Sequence, residues 1–165
     1  MRLRGIYEVH SDEERLQLLA DLVEEGSQDP VIRETAIRIL KAYRVLEKDE
    51  IGEVKAIFDW VKSNIRYTKD ITGRDTYHTA RRILELKIGD CDDFCCLLDS
   101  LLASIGYPVG ARIITASPDK GFHHIYSLVK VKGRWIPLDP TNKKFKIGQE
   151  PRYYKKRDFQ FILGE

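Results

Sequence analysis

At Gly110 the spacing of apolar side chains changes from about 3.6 residues to about 2. Upstream, Ser11-Asp-Glu-Glu14 reads as a capping box that opens a helix ending at Gly26. Asp29-Pro30 supplies the N-cap and first position of a second helix that runs to about Leu46. A third is expected over Glu50–Asn64, and a short fourth over about His78–Leu86, after a polar loop at 67–75. A fifth begins at Asp90. Downstream, residues 111–116, 122–131 and 134–138 are rich in β-branched and aromatic side chains and read as strands. The segment from Asn142 is basic and irregular, with a last strand expected at 158–163. Helices first and strands second make an α+β domain, with helices packed on an antiparallel sheet.

Lys132-Gly133 is a two-residue hairpin turn. It places Val131 opposite Arg134, Tyr126 opposite Asp139 and His124 opposite Thr141. Facing partners share a side of the sheet, so these last four residues lie on one face and His123 on the other. Asp139 is then the diagonal neighbour of His124, about 7–8 Å away at the backbone and within side-chain reach. A slip of one residue would reverse every assignment.

The fifth helix starts in Gly89-Asp90-Cys91-Asp92-Asp93-Phe94. Asp90 is the expected N-cap, with Asp93 as its reciprocal partner. Phe94, Leu97, Leu98, Leu101, Leu102 and Ile105 recur at helical spacing before Gly106 and Pro108 end the helix. Cys91 falls at the positive end of the helix, where unsatisfied N–H groups and the dipole favour a thiolate. Asp90, Asp92 and Asp93 work against this, so a nearby imidazolium is needed. Cys95 reads as packing, and Cys96 as partly exposed on the side of Asp92, Asp99 and Ser100. A thiol at a helix N-terminus, with a carboxylate turned toward a histidine, makes up a Cys91–His124–Asp139 triad for acyl transfer.

The chain is long enough for one domain with its own core. It divides into a helical extension (1–49), a core (50–141) and a basic tail (142–165). No apolar run approaches the ~20 residues that span a bilayer, so no membrane partner is expected. MRLRGIYEVH lacks the apolar stretch of a secretion signal. Three cysteines without zinc-like spacing imply free thiols in a reducing compartment such as the cytoplasm, and no metal or other cofactor. Residues 111–165 carry 12 basic against 5 acidic side chains. Basic residues interleaved with tyrosines in Arg152–Arg157 suit single-stranded nucleic acid, but a lysine-guarded sheet edge produces the same letters. The edge reading is preferred, because no nucleic-acid-binding fold is otherwise indicated.

Gly89-Asp-Cys91-Asp-Asp93-Phe with Leu97-Leu98 resembles the nucleophile block of the transglutaminase-like superfamily of papain-like thiol enzymes. Ile105-Gly106-Tyr-Pro108-Val, His124-Ile-Tyr126 and Gly133-Arg-Trp135-Ile-Pro-Leu-Asp139-Pro-Thr141 resemble its later blocks, and Ile57-Phe-Asp-Trp60-Val…Ile65-Arg-Tyr67 its aromatic lead-in. The resemblance covers about residues 54–141. It implies a papain-like, transglutaminase-like core with Cys91 as nucleophile, His124 as base and Asp139 as orienting acid. It also implies a protein or peptide substrate attacked at a glutamine or other amide. Hydrolysis is the expected outcome; amine transfer and a non-catalytic binding module are the alternatives. The chain departs from the family at Leu128, where a Glu is frequent. It also has no Trp just before the nucleophile block, where Tyr67 and Tyr77 are the nearest aromatics.

Overall fold

The computed structural model describes residues 5–6, 11–69 and 76–164. Among them the chain forms β1 (Gly5–Ile6), α1 (Asp12–Ser27), α2 (Pro30–Ala42), α3 (Glu50–Asn64) and β2 (Arg66–Tyr67). There follow β3 (Thr76–Tyr77), α4 (Ala80–Leu86), β4 (Ile88–Gly89), α5 (Cys91–Ser104), β5 (Val109–Thr115), β6 (His124–Val131), β7 (Arg134–Leu138) and β8 (Lys155–Gln160). Most of the polar loop expected at 67–75 lies outside the described residues.

The starts of the helices follow local chemistry. Ser11, Asp29, Asp49, Thr79 and Asp90 each accept from a backbone N–H in the first turn of the helix that follows. At Asp90 the capping box closes in both directions, with Asp93 N–H donating to Asp90 at 3.1 Å and Asp90 N–H to Asp93 at 3.2 Å. Two helix ends differ from expectation. Gly26 lies inside α1, because a side chain there would collide with Ser100 of α5; the glycine allows two helices to touch and does not end one. α2 stops at Ala42, four residues early, and Arg44 then turns into the left-handed region at φ 54°.

α5 is the axis of the core. α1, α2, α3 and α4 all pack on it, and β6 closes the remaining side. Phe94, Leu97, Leu98, Leu101 and Leu102 are each at most 1% exposed. A fully buried side chain of this size contributes about 1.5–3 kcal/mol. The expectation that Cys96 is partly exposed is overturned: Cys96, Asp92, Asp99 and Ser100 are all buried. Their polar letters suggested a wet face, but α1 packs against Asp92 and Ser100, the His78 carbonyl meets Cys96, and Ser127 of β6 meets Asp99.

The main sheet has the order β7-β6-β5-β8 and is antiparallel throughout. One side meets α5 through Ala111, Ile113, Ile125, Val129 and Leu138. The other carries Arg112, Tyr126 and Leu128, and the segment after β7 covers part of it. Gly148 N–H donates to the Pro137 carbonyl at 3.0 Å, and Arg112 reaches Glu150. The last strand begins at Lys155, three residues before the expected start, and forms the sheet edge along β5 with Lys155 and Lys156 exposed. This is the guarded edge that the basic residues suggested.

Asp99 has no solvent exposure and accepts from the Cys95 thiol at 3.8 Å. Burial pushes its pKa well above the usual carboxylate value, only partly opposed by Ser127 and Cys95. In the unfolded chain it ionises near pH 4, while the folded protein keeps the proton. The folded state therefore binds more protons above that pH, and stability falls as pH rises. Asp99→Asn removes this dependence. Urea unfolding should show the variant gaining on wild type as pH rises above about 4; a pH-independent difference would contradict the assignment.

Candidate active site

The β6–β7 ladder runs from Val131↔Arg134 to Ser127↔Leu138, the register expected from a two-residue turn. Lys132 and Gly133 both have positive φ, 52° and 79°, as a primed hairpin turn demands. One residue beyond the ladder, the chain from β7 delivers Asp139 to His124. Their Nε2 and Oδ2 atoms are 2.9 Å apart. Asp139 is 1% exposed, and its other oxygen accepts from the Thr141 N–H at 3.1 Å and the Thr141 hydroxyl at 2.7 Å. The carboxylate is therefore fixed at both oxygens, and it presents one of them to the imidazole. With Nε2 taken, Nδ1 is the nitrogen left for another partner.

His123 is directed elsewhere. Its Nε2 accepts from the Ala116 N–H at 3.0 Å, which ties it to the loop after β5.

Cys91 is the first residue of α5 and is half-buried. The backbone N–H of Ile125, the residue after His124, acts on its sulfur. This places the thiol against the start of β6. Tyr67 lies in the same region: burial, then Cys91, Asp90 and Asp139, raise its phenol pKa. β2 runs parallel to β4 with Tyr67 opposite Gly89, and the Tyr67 ring sits 6.1 Å from Phe94. The sequence indicated Tyr67 only as a nearby aromatic; its placement depends on a two-residue strand pairing too short to show as a pattern.

The helix terminus does not leave the thiol acidic. Burial raises the Cys91 pKa most, followed by Asp92 and Asp90; the Ile125 N–H and Arg15 oppose them only in part. Burial and its carboxylate neighbours also hold Asp90 well above the usual carboxylate range. Asp92 lies 3.9 Å from Arg15 of α1. These influences favour the neutral thiol at Cys91, a form that needs a base at hand to act as a nucleophile.

His78 was not singled out in the sequence. Its Nδ1 lies 3.3 Å from Asp93, whose hydrogen bond is the main cause of a raised imidazole pKa. It serves the capping box and accepts the Cys96 thiol at its carbonyl, 3.7 Å away. No group of His, Cys, Asp and Glu suited to a metal ion occurs among the described residues. No helix among them is long and apolar enough to cross a membrane.

A sequence profile of the transglutaminase-like superfamily matches residues 38–140. The chain belongs to that superfamily. No curated protein sequence matches it. Among solved structures, a candidate cysteine protease from Cytophaga hutchinsonii is similar at 19% identity and a TM-score of 0.51, over 78% of this chain and 46% of that one. A candidate protease from Parabacteroides distasonis is similar at 16% identity and a TM-score of 0.62, over 76% of this chain and 26% of that one. The chain thus spans less than half the length of either. A structure of a TGase is similar at 18% identity and a TM-score of 0.49, over 90% of this chain and 37% of that one.

Cys95 and Cys96 are 1% exposed, and burial also raises their pKa values well above normal. Iodoacetamide should therefore label Cys91 selectively in the folded protein. Because the thiol pKa is raised, its labelling rate should climb with pH from 6 to 9 without levelling off. Peptide mapping after timed exposure measures both. Equal labelling of the three cysteines, or a rate plateau below pH 7, would contradict this geometry.

Proposed function

We propose that this protein is a thiol enzyme that cleaves a carboxamide or peptide bond through an acyl-Cys91 thioester. The observation that carries the reading is the 2.9 Å contact of His124 with Asp139, with the Cys91 thiol set against the next residue of β6. His124 Nδ1 takes the thiol proton as sulfur bonds to the carbonyl carbon. Asp139 holds the imidazole in the required tautomer and stabilises its charge. Negative charge collects on the carbonyl oxygen, where the Cys91 backbone N–H at the start of α5 is an available donor. The intermediate collapses as His124 returns the proton to the leaving amine. Water, deprotonated by the same imidazole, then splits the thioester to the free acid and restores the thiol.

Hydrolysis is favoured over transfer to an amine. Transfer requires the thioester to be shielded from water. Trp60 lies under the Lys87 ammonium and Trp135 under that of Lys130, and the sequence has no further tryptophan to wall off the thiol. Tyr67, the aromatic beside Cys91, is 40% exposed. A binding module of the same fold would have no use for all three of Cys91, His124 and Asp139.

His124→Ala should lower turnover by at least about a hundredfold, the usual contribution of a positioned base. His123→Ala should leave most of it. A dead His123→Ala with an active His124→Ala would sink the assignment. The second expectation concerns the product. Given a glutamine-containing peptide and a fluorescent primary amine, the enzyme should release free acid in excess of amine adduct. Predominant, Cys91-dependent amine incorporation would make it a transglutaminase.

A further inference from the structure

Three strands place Tyr126, Arg112 and Asp158 in a row across the sheet, with Arg112 the register partner of both others. The Arg112 guanidinium donates to Asp158 through Nε at 2.7 Å and a terminal nitrogen at 3.0 Å. Its remaining nitrogen donates to Glu150 at 2.7 and 3.1 Å. Glu150 Oε2 also accepts from the Tyr126 hydroxyl at 3.0 Å. Tyr126 is 1% exposed, and its ring centroid lies 5.5 Å from that of His124. Burial and the adjacent Glu150 raise the phenol pKa, so it stays protonated and donates. Asp139 restrains the imidazole at one nitrogen only and does not stop the ring from tilting about that contact. The Tyr126 ring lies beside the imidazole, and its hydroxyl is held by Glu150.

We propose that Glu150 is a positioning residue for His124: held by Arg112, it pins Tyr126, and the Tyr126 ring in turn holds the imidazole in the orientation that presents Nδ1 to Cys91. The proposal rests on the reading of His124 as the base. Glu150 and Asp158 lie beyond the stretch that matches the superfamily, residues 38–140, so this support comes from the C-terminal segment of this chain. A guanidinium bound to two carboxylates is a rigid anchor. Small displacements of a catalytic group are costly, about a hundredfold for 1 Å.

The His124 imidazole is the direct reporter, followed by proton–nitrogen NMR across pH in the full chain. Wild type should show one tautomer, protonated on Nε2. Glu150→Ala should move the titration midpoint while Asp139 keeps the proton on Nε2, and Glu150→Gln, which still accepts from Tyr126, should stay close to wild type. Tyr126→Leu keeps the Arg112–Glu150 pair but removes the ring, and should reproduce the Glu150→Ala spectrum. With a peptide p-nitroanilide, Glu150→Ala should lose roughly ten- to a hundredfold in kcat with KM unchanged. A His124 spectrum that titrates as in wild type in either Glu150→Ala or Tyr126→Leu overturns the proposal, whatever happens to turnover. Failure of the base assignment would look different: His124→Ala would keep Cys91-dependent turnover, while the NMR comparison would still decide the role of Glu150.

Discussion

The register of one hairpin holds the candidate site together. Lys132 and Gly133 turn the chain with positive φ at both positions, and the ladder that follows has no bulge. A ladder with a two-residue period permits only two outcomes for each side chain. In this register His124 and Asp139 meet at 2.9 Å. One residue of slip would send His123 toward the acid and remove the contact with Tyr126. The strongest constraint on the candidate site therefore lies at the opposite end of the strands from it.

The second constraint is the depth at which α5 is buried. Four helices and β6 pack on it. The capping box satisfies the N–H groups that burial would otherwise leave unpaired. The cost falls on the ionisable groups. Asp90, Cys91, Cys95, Cys96 and Asp99 all have pKa values shifted toward their neutral forms by burial. A thiol in this setting is not favoured as a thiolate by the helix dipole alone. The packing that buries Cys91 is therefore the reason the proposed mechanism needs a base such as His124.

Much of this could be read from local patterns. Caps at Ser11, Asp29 and Asp90 need only neighbouring residues, and α3 and β7 have the expected bounds. Hairpin parity brought His124 and Asp139 together without knowledge of the rest of the fold. Where the reading failed, the cause was distant in the chain. Cys96 and Asp99 looked wet because nothing in α5 shows that the His78 carbonyl meets the one and Ser127 of β6 the other. Gly26 looked like a helix end because its contact with Ser100 is 74 residues away. The roles of Tyr67, His78 and Glu150 depend on the β2–β4 pairing, the Asp93 contact and the path of the segment after β7, and none of these has a period.

In the proposed mechanism Cys91 carries the acyl group and His124 makes it able to do so. The direct measurement is to pulse the protein with a peptide p-nitrophenyl ester, quench in acid and locate the added mass by intact and peptide mass spectrometry. One acyl group per chain should form, on Cys91 alone, with formation slowed at least about a hundredfold in His124→Ala. An acyl group on another residue, or acylation of Cys91 at an unchanged rate without His124, would contradict it.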